Sequence, residues 1–194
     1  MKSQLFRSIA LRAILLSLQD RVAQVYGGGL VHMDFSKDHM DRVGYEIYTI
    51  MDINLLTPLH LIYAENSSDS GKVHSTVRRK WLDGDEFIIS SMAEIEKLAE
   101  DGRTALLKID YTKELMNRNF DLRRSMFGDA CLGAMNIEMV EVARKVGAAA
   151  KFTGSGGCFL PRWAISDQTS RRRISRDLRL RKHNLVVLDP EISV

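Results

Sequence analysis

Two short stretches hold the residue types and spacings from which chemistry could be built. LQDRVAQVYGGG (18–29) places one carboxylate, Asp20, on a helical pattern that runs into three glycines. KFTGSGG (151–157) is a polar strand-like run that enters glycine and serine. Glycines such as Gly154, Gly156 and Gly157 permit positive φ and let backbone N–H groups approach an anion, and the Ser155 hydroxyl adds a donor. The five residues Thr153 to Gly157 also suit a plain tight turn between two β elements. Asp20 has two readings as well. With Leu18 and Val22 beside it, it is either a solvated surface group or a carboxylate placed to orient or deprotonate a substrate hydroxyl.

Other candidates are weaker. Gly71-Lys72 resembles the end of a Walker A loop, but Asn66 stands where that motif needs its first glycine and Val73 where it needs Ser or Thr. Asp83-Gly84-Asp85-Glu86 is acidic enough to suggest a metal, yet a turn followed by a helix start explains it, since acids suit the helix N-terminus. His32, His39, His60 and His74 show no metal-binding pair at helical spacing, so no metal site is expected. RRRISRDLRLRK (171–182) holds seven basic residues in twelve. It reads as a solvated tail or, alternatively, as a contact for nucleic acid or an acidic partner, although no aromatic residue interleaves as a stacking platform.

The elements that must position these residues follow from pattern. A helix is expected over roughly 5–25, stopped at Gly27-Gly28-Gly29. The first nineteen residues of the chain carry Lys2, Arg7 and Arg12 and no acid, so they fit either a core helix or an organellar presequence. Leu30 to Phe35, Tyr45 to Met51 and Leu59 to Tyr63 read as strands. Asp85 is expected to cap a helix carrying Ile88, Met92, Ile95 and Ala99 and ended by Gly102. A helical pattern continues over 103–126, and Leu132 to Val146 forms a further helix with Met135, Met139, Val142 and Val146 on one face and Gly147 as its stop. Ala148 to Thr153 is a short strand that feeds the glycines. Strands, then a helical block, then a strand make an α+β fold, with the helices packed on a small, mainly antiparallel sheet.

The totals limit the function classes. The chain has 194 residues and a net charge of +3, with no apolar run long enough for a membrane span. Residues 1–157 carry 20 Lys/Arg against 21 Asp/Glu, and residues 158–194 carry 8 against 4, so the basic character belongs to the last segment. Two cysteines, Cys131 and Cys158, make no disulfide framework and point to a reducing, cytoplasmic setting.

The two motifs taken together, Gln19-Asp20 with Ala23 and Tyr26-Gly27-Gly28 and then Lys151 to Gly157, resemble the sugar-kinase branch of the GHMP kinases. The text between them, MDINLLTPLHLIYAENSSDSGKVHSTVRRKWLDGDEFIISS and RRSMFGDACLGAMNIEMVEVARKVGAAAKFTGSGG, resembles the plant glucuronokinases within that branch. The resemblance covers about residues 18–157. It implies the C-terminal part of a two-domain kinase: 1–56 a remnant of the N-terminal domain, 57–157 the C-terminal domain, 158–194 a basic tail that departs from the family. It implies ATP-dependent phosphoryl transfer, with Mg²⁺, to the anomeric hydroxyl of D-glucuronate, giving the 1-phosphate that supplies UDP-glucuronate salvage. Asp20 takes the position of the acid that contacts the attacking hydroxyl, Gly154, Ser155, Gly156 and Gly157 that of the substrate or phosphate loop, and Gly27 and Gly28 that of the turn beside the site.

The family's nucleotide loop, P-x-x-x-G-L-G-S-S, is not found in this sequence. Its glycines at a helix N-terminus hold the ATP phosphates. The expectation is therefore a chain that binds ATP poorly and is inactive alone. After Gly157 the family continues with an apolar strand, which Pro161 and the arginine run do not match. The alternative is a non-catalytic binding module.

Overall fold

The computed structural model describes residues 25, 30–56, 59–64, 73–110, 113–145, 147–153, 156–161 and 185–188. The chain divides into two compact units, Met1–Leu56 with Ile192–Val194, and Thr57–Glu191.

In the first unit, β1 (Leu30–Asp34) and β2 (Ile47–Met51) pair antiparallel, with Leu30 opposite Met51 and Asp34 opposite Ile47. Between them lies α1 (Lys37–Val43), a helix that the strand-dominated sequence reading did not anticipate. Its signals are short: Asp38 in the first turn, Arg42 in the last, and Gly44 at φ 86 as a left-handed stop. The Asp34 carboxylate accepts the Ser36 backbone N–H at 2.7 Å, which turns the chain from β1 into α1 and holds the carboxyl below its usual range. The expected helix over 5–25, and with it Asp20, Gly27 and Gly28, falls outside the described residues except for Val25, which is helical.

The second unit builds a four-stranded antiparallel sheet in the order β4-β5-β3-β6, from β3 (Leu59–Ala64), β4 (Lys151–Thr153), β5 (Gly156–Pro161) and β6 (Leu185–Leu188). Most of β5 and all of β6 lie beyond residue 157, where the sequence reading has a tail without elements. Pro161 ends β5, opposite Leu59. On the other side β4 reaches only to Phe159, so the proline lies where β5 has no β4 residue to receive an N–H bond. The β6 segment LVVL is a β-branched run of the kind that fits a sheet, and its partner β3 lies more than a hundred residues earlier.

The helices are α2 (Val73–Leu82), α3 (Glu86–Lys108), α4 (Lys113–Phe127), α5 (Asp129–Leu132) and α6 (Ala134–Lys145). The acidic run 83–86 is a turn and cap: Gly84 sits at φ 83, and the Asp85 carboxylate accepts the Ile88 N–H at 3.1 Å. Gly102 does not end α3. The helix passes through it, in open space, at a propensity cost of about 1 kcal/mol relative to alanine. The buried stripe of α3 also shifts from the expected one: Ile88 and Ser91 are buried and Ile95 packs beside them, whereas Met92 is exposed. The expected continuous helix over 103–126 breaks before α4, and Gly133 separates α5 from α6.

The stop of α3 is Ile109, a β-branched residue held at φ 54, ψ 35 and 69 % exposed. Left-handed backbone costs an L-residue roughly 1–2 kcal/mol, and glycine escapes it. After the entropy that glycine adds to the unfolded chain, Ile109→Gly is expected to raise stability by about 0.5–1 kcal/mol. A urea melt checks this, and a variant less stable than wild type contradicts it.

Two apolar clusters hold the helical block. Phe120, Leu132, Met139, Val140, Val142, Ala148, Ala150 and Phe152 belong to the larger, with Phe127 and Met135 against it. Val77, Ile88 and Met126 form the smaller, which also touches Phe127. Outside the clusters, Arg118 forks onto Glu94 at 2.6 and 2.8 Å and ties α4 to α3. No described helix is long and apolar enough to cross a membrane.

Candidate functional site

Of the residues singled out in the sequence, Gly156 and Gly157 open β5, while Asp20, Gly27, Gly28, Gly154 and Ser155 lie outside the described residues. Thr153 pairs with Gly156, with a register shift between Phe152 and Thr153, so two residues connect β4 to β5. Gly156 and Gly157 thus lie at the turn end of a β-hairpin, and the backbone there is positioned by whatever fixes β4.

Three residues of the helical block fix the approach to β4. Lys113 donates from Nζ to the Gly147 carbonyl at 2.6 Å, where the chain leaves α6 at φ 79. The Asn117 side-chain oxygen accepts the Ala150 N–H at 3.3 Å and Arg144 Nε at 3.2 Å. Arg144 also donates to the Asn117 carbonyl and to Asp121, both at 2.8 Å, and lies 5.0 Å from the centre of the Phe120 ring. One helical turn of α4 is thereby bonded both to the end of α6 and to the residue before β4. Below these polar contacts Phe120 meets Phe152 edge-on, with centroids 5.1 Å apart.

The two adjacent arginines of α4 have opposite environments. Arg124 bonds Asp129 at 2.6 and 2.7 Å and Glu141 at 3.2 Å, so its pKa moves further up and that of Asp129 down. Arg123 instead lies over the Phe127 and Phe152 rings, 5.6 and 6.0 Å from their centroids. Its buried Nε has no acceptor, and burial pushes its pKa down. Lys151, the first residue of β4, donates from Nζ to the Phe152 carbonyl at 3.0 Å. Burial, and secondarily the charge of Arg123, push its pKa down. Sequence reasoning missed this cation pair. The signal was present: Phe120, Arg123 and Phe127 are spaced as i, i+3 and i+7, which puts the arginine on the apolar face of its helix.

The described residues contain no group of three His, Cys, Asp or Glu side chains that could hold a metal ion. A surface groove of about 590 Å³ over α5 and α6 is lined by Asp129, Glu138 and Glu141 and has the wrong sign for a phosphate.

The fold of this helical block and antiparallel sheet is shared with solved structures. The chain superposes on L. major mevalonate kinase in complex with R-mevalonate with a TM-score of 0.53 and 18 % identity, covering 90 % of this chain and 53 % of the other. It superposes on the Lin0012 protein of Listeria innocua with a TM-score of 0.58 and 11 % identity, covering 80 % and 48 %. No family model matches the chain. Over 146 residues it is 88 % identical to Probable glucuronokinase 2 and 77 % identical to Glucuronokinase 1, both of Arabidopsis thaliana. Over that stretch, 74 % of its own length, the chain is a close homologue of the plant glucuronokinases. It spans 40 % of the length of each of these relatives.

Proposed function

We propose that this chain is a C-terminal portion of a sugar-acid kinase, whose reaction moves the γ-phosphoryl group of ATP to the anomeric hydroxyl of D-glucuronate. The observation that carries this reading is the 88 % identity over 146 residues to a probable glucuronokinase. At that level the acceptor chemistry is expected to be shared over the matched stretch. In the reaction the anomeric oxygen forms a bond to the γ-phosphorus, the bond from that phosphorus to the β–γ bridging oxygen breaks, and ADP leaves. The hydroxyl proton departs toward the Asp20 carboxylate, which either takes it or orients the hydroxyl while positioning and charge neutralisation lower the barrier. By resemblance to the family's glycine loop, Gly154 to Gly157 are the residues that offer backbone N–H groups to the phosphoryl oxygens. ATP and Mg²⁺ are the expected partners of the complete enzyme. No group of three His, Cys, Asp or Glu side chains among the described residues could hold the metal.

The 194-residue chain is expected to show no turnover, because the glycine-serine nucleotide loop is not in its sequence. Coupled measurement of ADP release with ATP, Mg²⁺ and D-glucuronate tests both halves of the proposal. Turnover approaching that of a full-length relative would overturn the expected inactivity. A full-length relative that phosphorylates other sugars and leaves D-glucuronate untouched would overturn the substrate.

A further inference from the structure

We propose that Arg123 and Lys151 form an oxyanion-binding subsite at the base of the β4-β5 hairpin, taking the carboxylate of a sugar acid or the oxygens of a phosphoryl group. The argument begins with contrast. Arg118 and Arg124, the other arginines of α4, and Arg144 on α6 are each paired with a carboxylate: Glu94, Asp129 with Glu141, and Asp121 respectively. Arg123 has no carboxylate partner among the described residues, and its Nε is buried without an acceptor. Half-buried, with Nε buried and unpartnered and its plane over two aromatic rings, the Arg123 guanidinium has donors left for an anion.

The second cation lies beside the same residue. Arg123 stacks over the Phe152 ring, and Lys151 donates to the Phe152 carbonyl, its one acceptor among the described residues. Two half-buried cations gathered about Phe152, one over its ring and one on its carbonyl, repel each other less when an anion neutralises both. The planar arginine fork matches carboxylate and phosphate oxygens, and lysine adds a point charge beside it. Both lie where the chain enters the glycine turn: Lys151 is two residues before Thr153, which pairs with Gly156. The Phe127 and Phe152 rings form an apolar wall that strengthens an ionic contact by excluding water.

This inference rests on the kinase reading only for the identity of its ligand, and its test needs neither ATP nor turnover. The purified 194-residue chain is melted with D-glucuronate, with inorganic phosphate, with neutral glucose and with chloride at matched ionic strength. At ten times the dissociation constant, a bound anion is expected to raise the midpoint by about 3–6 °C. Arg123→Gln and Lys151→Met are expected to abolish that rise. Arg124→Gln, which alters the outward-paired neighbour, is expected to keep it. Without anion Lys151→Met is expected to melt no lower than wild type, because it removes one of two mutually repelling cations. Where a protein melts without a transition, ³¹P line broadening of phosphate by the chain reads the same binding. A rise with D-glucuronate alone assigns the subsite to the acceptor's carboxylate, and a rise with phosphate assigns it to phosphoryl oxygens. No anion-dependent rise or broadening in wild type overturns the inference, as does a rise unchanged in Arg123→Gln and Lys151→Met. Anion binding in a protein whose full-length relatives do not phosphorylate D-glucuronate would keep the subsite and remove the kinase reading.

Discussion

Phe152→Ala is expected to destabilise the Thr57–Glu191 unit by about 3–5 kcal/mol, the range for removing a buried aromatic ring from a packed core. Phe152 is 2 % exposed and meets Phe120, itself 1 % exposed, edge-on in the larger cluster. Its ring is also one of the two faces over which Arg123 lies. Truncation therefore opens a cavity and at the same time uncovers a cation that has no carboxylate partner among the described residues. Phe152→Leu keeps most of the volume and is expected to cost about 1–2 kcal/mol, through the lost ring contacts. Urea unfolding followed by near-ultraviolet circular dichroism separates the two. A loss below about 1 kcal/mol for Phe152→Ala would mean that the ring is not part of the core.

What could be read from sequence, and what could not, divides along physical lines. Local chemistry was legible. Asp85 caps α3 because a carboxylate three residues before an amide can reach it, and Gly147 turns the chain out of α6 because it adopts φ 79 at no steric cost. The apolar face of the last long helix was legible too, with Met139 and Val142 both buried. Competing effects explain the misses. Gly102 looked like a stop, but Ile88, Ser91 and Ile95 anchor one face of a helix that continues for six residues past it, so packing outweighs propensity. The strand at 185–188 was missed because its pairing with β3 is set by tertiary contact across a long stretch of chain, and periodicity within four residues says nothing of it. At the candidate site, the glycines stood out because their conformational role is written in the residue type. Arg123 did not stand out, because Arg123-Arg124 reads as a basic surface pair until the i, i+3, i+7 spacing with Phe120 and Phe127 is counted.

That spacing matters because the hairpin and the cation pair depend on one polar clasp. Asn117→Ala is expected to cost about 2–4 kcal/mol, although it removes only a half-buried amide. The side-chain oxygen accepts both from the Ala150 N–H and from Arg144 Nε. Ala150 is fully buried, so truncation leaves its N–H without the acceptor, and Arg144 loses one of the three contacts that hold it on α4. Asn117→Asp keeps an oxygen in both positions and adds charge complementarity to Arg144, so it is expected to stay within about 1 kcal/mol of wild type. Hydrogen exchange gives a readout that general destabilisation does not mimic. In Asn117→Ala the Ala150 amide is expected to lose protection selectively, while amides in the middle of α3 keep theirs relative to the global stability. Because Ala150 precedes Lys151, the same substitution is expected to loosen the cation pair and to reduce the anion-dependent rise in melting. If Ala150 stays as protected as its neighbours, Asn117 is not what holds β4, and the positioning of the hairpin must come from the Lys113–Gly147 bond and the Phe120–Phe152 contact.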